Sequence, residues 1–361
     1  MNNHRHHYLH AVGAIVMLAL SACASVSDPE IPVAQRIANA APAVTVRARG
    51  QTAPVGTVNA DAADDPAIWR NAANPAASLI IGTDKKAGIY VYGLDGAKKS
   101  FLPAGDVNNI DLRDGVTING APAILVGASD RTDPAQAKLA LFTLDPASAA
   151  LTRIATLPVG PGEAYGFCMG RIAGAIHAVV IVKPGKMVDM VLDVASAQPA
   201  VTSVRTMANA TLSEGCVVDD RTGRLYVSEE DVAIWRFDLT QAQPAPLRFA
   251  SVDARNLVAD TEGLAIAPGA NGGGHLIASS QGDNAYTLYT LPDGGYAGRF
   301  RIADGAKIGG TSDTDGIELV LGDFGPDYPG GLFVAQDGDN SPAPQNFKLL
   351  AWDDVKAALS Q

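Results

Sequence analysis

The chain has 361 residues, 47% hydrophobic and 18% charged, a composition that supports an ordinary packed core and excludes a disordered chain. Its formal net charge of −11 counts against nucleic acid as a partner, because that affinity comes mostly from Lys and Arg neutralising phosphates. A multivalent cation suits the acidic surplus better. In chain order, Arg5 among histidines makes a weak positive region ahead of the apolar run "LHAVGAIVMLAL". That run is shorter than the roughly 20 residues that span a bilayer. Residues 1–22 therefore read as a signal peptide.

The run leads into "LSAC", Leu20 to Cys23, in the pattern of a bacterial lipoprotein cleavage box. Cys23 is the expected lipidation site, with a plain signal peptide cut nearby as the alternative. Ala24 follows it, as in outer-membrane sorting, so the expected location is the cell envelope, facing the periplasm or the cell surface. Contact with the membrane is expected only through this N-terminal lipid anchor. Residues 23–43 are rich in Ala, Ser, Pro and polar side chains and read as a flexible tether. The two other cysteines, Cys168 and Cys216, could pair or stand apart, and sequence alone does not decide between these.

From residue 44 to residue 361, short runs rich in Val, Ile, Leu and Tyr alternate with Gly, Asp, Asn and Pro clusters, which predicts many short strands. Two half-motifs alternate six times. One is a polar residue leading into a small-apolar strand: "DDPAIWR", "NNIDLRD", "EAYGFCMGR", "SEGCVVDD", "DTEGLAIAP" and "DTDGIELV". The other is an apolar strand, a charged turn and a second strand, as in "LIIGTDKKAGIYVYGL" and "RLYVSEEDVAIWRFDL". Anchored on Asp65, Asp111, Tyr165, Glu214, Glu262 and Asp315, the steps are 46, 54, 49, 48 and 53 residues. A period near 50 with about four antiparallel strands per unit predicts an all-β fold, one six-bladed β-propeller.

Equivalent positions in a propeller lie at one end of the molecule near its axis. The charged turns Asp84-Lys85-Lys86, Asp130-Arg131, Lys183, Glu229-Glu230-Asp231, Asp283 and Asp337-Gly338-Asp339 should therefore share one face. Blades one to three contribute Lys85, Lys86, Arg131 and Lys183, and blades four to six contribute Glu214, Glu230, Asp260, Glu262, Asp315 and Asp337. Lys and Arg suit phosphate oxygens. Carboxylates without His or Cys suit hard cations, above all calcium. The expected ligand is a small polyphosphorylated molecule bound with bridging calcium.

At these residues the sequence resembles the β-propeller phytases, calcium-dependent enzymes that hydrolyse inositol hexakisphosphate. The carriers include "DAADDPAIW", "GTDKKAGIYVY", "NNIDLR", "ASDR", "EAYGF", "SEGCVVDDRTGRLYVSEEDVAIWRF", "ADTEGLAI", "GGTSDTDGIE" and "GLFVAQDGDN" with "QNFK". The resemblance implies a 3-phytase type of phosphomonoesterase, working by direct attack of a calcium-bound water, and a monomer. It implies that Lys85, Arg131, Tyr165 and Lys183 hold the phosphate being cleaved, and that Lys86 and Arg131 reach a neighbouring one. Asp64, Glu214, Glu230, Glu262 and Asp315 match ligands of the catalytic calciums, with Asp260 beside them. Glu230 also matches the carboxylate that positions the attacking water. Asp65, Asp337 and Asn340 match ligands of structural calciums, and Asp61 carries no role. Gly309 stands where the family usually has an acid, which removes one ligand. The alternatives are a non-catalytic propeller that binds a phosphorylated ligand, or a calcium-dependent lactonase propeller, which has no need of four such cations.

Overall fold

The computed structural model describes residues 31–361, so the expected signal peptide and Cys23 lie outside the described residues. Over Val33–Gln361 the chain forms six antiparallel four-stranded units. Their inner strands are Ala63–Trp69, Val107–Ile118, Ala164–Ile172, Ser213–Asp219, Thr261–Pro268 and Ile317–Leu321, one for each of blades 1 to 6. Each packs against the next, and the last against the first, so the ring is closed. This is the expected six-bladed β-propeller.

The closure is not made in chain order. Blade 6 takes its outer strand, Gly50–Gln51, from the beginning of the domain, where Gly50 pairs with Leu349 and Gln51 with Lys348. Val44–Val46 adds a parallel fifth strand to blade 5. The stretch expected as a tether is partly ordered: Val33–Asn39 is a helix, and Ala41 N donates to Arg255 O at 2.8 Å. Arg299, fully buried, donates from Nη1 to Ala41 O at 3.0 Å. Ala, Gln and Arg in "VAQRIAN" are good helix formers, a signal that the surrounding Pro and Ser dilute.

Val, Ile, Leu and Phe from facing blades fill the gaps between sheets. Between blades 2 and 3, Leu125, Leu139, Phe167, Met169 and Val180 form one such layer, each at most 2% exposed. Burying a side chain of this size contributes about 1.5–3 kcal/mol. Cys168 and Cys216 form a disulfide with Cα atoms 5.7 Å apart, joining the inner strands of blades 3 and 4. The question left open by the sequence is thereby answered.

Candidate active site

In five blades the pairing of the first and second strands carries a β-bulge at the same place, between Ala63 and Pro66, Val107 and Ile110, Ala164 and Phe167, Ser213 and Cys216, and Thr261 and Leu264. A bulge re-aims the side chains it carries. The bulged pairs are Asp64-Asp65, Asn108-Asn109, Tyr165-Gly166, Glu214-Gly215 and Glu262-Gly263, with Asp315-Gly316 in the corresponding place ahead of the sixth inner strand. Blade 2 therefore corrects the sequence register: the counterpart of Glu214 is Asn108, and Asp111 lies deeper in the channel. The glycines let neighbouring strands approach at the axis. A Cβ on Gly215 would run into Glu262 O, and one on Gly263 into Asp315 O.

The charged turns follow the second strand of each blade, on the same end as the bulges. Just before three of these turns, Ser129, Ser228 and Ser279 donate to carbonyls of the next blade, Tyr165 O at 2.6 Å, Glu262 O at 2.7 Å and Thr314 O at 2.8 Å. Gln336 and Gln345 seal the last blade to the first. Gln345 Oε1 accepts from Ala62 N and Ala63 N at 2.6 and 2.9 Å, and Gln336 Nε2 donates to Ala63 O at 3.0 Å.

Glu214, Glu230 and Glu262 converge, each offering an oxygen within 4.8 Å of the others. A calcium ion with bonds of about 2.4 Å bridges oxygens up to about 4.8 Å apart. Glu230 Oε1, Glu262 Oε2, Asp64 Oδ2 and Asn108 Oδ1 are buried and have no hydrogen-bond partner among the described residues. An orphaned buried oxygen is costly, and a bound cation would satisfy this set. The donors are all hard oxygens, which fits the calcium that the resemblance implies. Asn108 Nδ2 donates to Glu214 Oε1 at 2.5 Å and fixes that carboxylate.

Lys85, expected on the basic side of the ring, is 8% exposed. It lies among carboxylates, with Nζ 2.7 Å from Asp61 Oδ2 and 3.0 Å from both Asp64 Oδ1 and Asp315 Oδ2. Gln281 Nε2 donates to the other Asp315 oxygen at 2.8 Å. Arg131 and Lys183 stand together, and Lys183 Nζ lies 4.0 Å from the centre of the Tyr165 ring. Lys86 is exposed on the turn after blade 1's second strand, and Asp260 is half-buried near Glu230 and Glu262. Asp65 faces down the channel, where its Oδ2 accepts from Ile110 N at 3.0 Å. At the rim, buried Lys348 puts Nζ 2.9 Å from Asp337 Oδ2 and 3.0 Å from Asn340 Oδ1. Near Gly309, Asp304 Oδ1 accepts from Gly310 N at 2.8 Å.

The electrostatics follow from burial. Burial, reinforced by Asp260 and Asp231, pushes Glu230 up to about 7. Burial lifts Asp315 to about 8 against the opposing pull of Lys85. Burial and their carboxylate neighbours hold Glu214 and Glu262 well above the usual range. Burial, then Glu214 and Glu262, keeps the Tyr165 phenol protonated. Burial pulls the Lys85 ammonium down, but Asp64, Asp315 and Asp61 together outweigh it and hold its pKa up.

A phytase family model matches residues 10–361. The chain belongs to the phytase family. The 3-phytase of Bacillus subtilis (strain 168) is 38% identical over 333 residues, covering 88% of this chain and 86% of that protein. A chain in the crystal structure of the mitotic checkpoint complex aligns at a TM-score of 0.46 and 12% identity, covering 94% of this chain and 87% of that one, too weakly to argue from. On this phytase scaffold the two half-motifs found in the sequence do meet at one pore mouth. Four polar contributors were missed there: Asn108, Gln281, Glu163 and the Lys85 contact of Asp61. The doublet "NN" in "NNIDLRD" was the available clue to Asn108.

Proposed function

We propose that this phytase removes phosphate from inositol hexakisphosphate at this pore mouth, using several calcium ions held by Asp64, Glu214, Glu230, Asp260, Glu262 and Asp315. The observation that carries the reading is the set of buried, partnerless oxygens on Asp64, Glu230 and Glu262, in a ring that also carries Lys85 and Lys183. Calcium supplies charge neutralisation and a more acidic water there.

The chain's own residues bind and orient. Lys85, Arg131 and Lys183 neutralise the oxygens of the phosphate being cleaved, and protonated Tyr165 donates a hydrogen bond to it. Lys86, with Arg131, takes an adjacent phosphate. Glu230 accepts a hydrogen bond from the attacking water and aims it in line with the leaving inositol oxygen. No side chain becomes phosphorylated. Asp65 holds a structural cation in the channel. Asp337 and Asn340 would hold a second, at a place where the Lys348 ammonium supplies positive charge to both of their side chains in this structure. The "LSAC" box supports anchoring at the cell envelope through Cys23, with the propeller acting as a monomer on phytate outside the cytoplasm.

Phosphate release from inositol hexakisphosphate at pH 7 tests this, in millimolar calcium and then with excess EGTA. Release that stops with EGTA supports the reading. Undiminished release in EGTA overturns the role of calcium, and no release from folded, calcium-loaded protein overturns the activity.

A further inference from the structure

Between Arg131 and Lys183 lies a carboxylate to which the reading above gives no part. Glu163 Oε1 is 3.5 Å from Arg131 Nη1 and 3.3 Å from Lys183 Nζ. The same oxygen faces both cations. The backbone of Glu163 is tied to one of them as well, because its carbonyl accepts from Lys183 N at 3.0 Å. We propose that Glu163 is a positioning residue that gathers Arg131 and Lys183 into a phosphate-binding pair before substrate arrives. This rests on the assignment of those two cations to the phosphate.

Two cations aimed at one point repel each other, and long flexible side chains relieve that repulsion by swinging into solvent. A carboxylate set between them removes the repulsion and limits the swing. Lys183 has a second hold, the face of Tyr165, and cation–ring contacts of this kind are attractive. Glu163 is the side chain among the described residues with which the Arg131 guanidinium pairs. Arg131 therefore depends on Glu163 more than Lys183 does. Both distances exceed those of a tight charged hydrogen bond, about 2.7–2.9 Å, so donors on each cation stay available to a phosphate. Glu163 is 30% exposed on its side chain, which keeps the expected effect modest.

The competing account is that Glu163 merely occupies the phosphate position and must be displaced. The two accounts differ in sign. The test uses the calcium-loaded full chain and inorganic phosphate as the probe, by titration calorimetry, alongside KM and kcat on inositol hexakisphosphate. Glu163→Gln keeps the shape and removes the charge. Positioning predicts about fivefold weaker phosphate binding, a matching rise in KM and a smaller change in kcat, with partial recovery in Glu163→Asp. In an Arg131→Gln background, Glu163→Gln should cost about half as much, since part of its effect runs through Arg131. Unchanged or tighter phosphate binding in Glu163→Gln, at an unchanged melting temperature, overturns the proposal. Wild-type protein that binds phosphate but leaves inositol hexakisphosphate intact would overturn the activity instead, and phosphate affinity would still decide the role of Glu163.

Discussion

Lys85 Nζ lies 3.0 Å from Asp315 Oδ2, a contact that joins the first blade of the ring to the last. The same ammonium holds Asp64 and Asp61, so three carboxylates depend on one charge. Removing one member of a buried ionic group leaves the others uncompensated. Lys85→Met is therefore expected to lower kcat/KM by about 100-fold or more, through loss of phosphate stabilisation. It should also lower the melting temperature in EGTA far more than in saturating calcium, because the cation takes over the neutralisation. Activity within about threefold of wild type would remove Lys85 from the phosphate site.

The metal-free protein should lose stability as the pH rises. Glu230 sits at about 7 and Asp315 at about 8 in the fold, against 4.5 and 3.8 for the free side chains. Between those values the folded chain holds protons that the unfolded chain has released. Stability from these groups is fully present below the ordinary carboxylate range and is lost as the pH passes through 7 and 8. In EGTA the melting temperature is expected to be about 5 °C lower at pH 8.5 than at pH 6. Calcium binding at pH 7 should release protons, visible as a buffer-dependent heat in calorimetry. A metal-free melting temperature that rises over this range would sink the account.

Glu230→Gln tests the water-positioning role separately from folding. Its carboxylate is buried by surroundings that make ionisation costly, so the amide should leave the metal-free protein as stable or slightly more so. Turnover is expected to fall about 10³-fold, with KM changed far less. A KM effect that matches the loss in kcat/KM would reassign Glu230 to substrate binding.

The Cys168–Cys216 bridge closes a loop of 48 residues between neighbouring blades. Loop-closure entropy for that length corresponds to about 4 kcal/mol, an upper figure for the measured loss. Cys216→Ser should lower denaturant stability by about 2–4 kcal/mol and leave kcat at 25 °C nearly unchanged. The bulged Glu214 lies two residues away on the same strand, so a concurrent loss of calcium affinity would show that the bridge also sets the site.

The propeller and much of its pore mouth are legible in the sequence because the ring repeats them. Each blade must place a polar side chain and then a close backbone approach at the axis, and Glu214-Gly215, Glu262-Gly263 and Asp315-Gly316 display that directly. Asp111 misleads because acidity, not register, marked it, and the bulge from Val107 to Ile110 turns Asn108 inward instead. Asp61, Glu163 and Gln281 make contacts that no other blade repeats, so periodicity does not expose them. The place of Lys85 among carboxylates is a tertiary outcome: it depends on the first blade meeting the last, and local patterning does not encode who sits across that seam.

The sixth blade completes itself with Gln51, whose side-chain oxygen accepts from Lys348 Nζ 297 residues further along the chain. A growing polypeptide thus carries its first-blade carboxylates, and the strand that will seal them in, through nearly the whole of synthesis before their partners exist. Asp315 and Gln345 emerge near the end, and only then can Lys85 find its third carboxylate and Ala63 its glutamine. A chain cut short before Asp315 lacks a carboxylate that Lys85 holds and both glutamines that seal the last blade to the first.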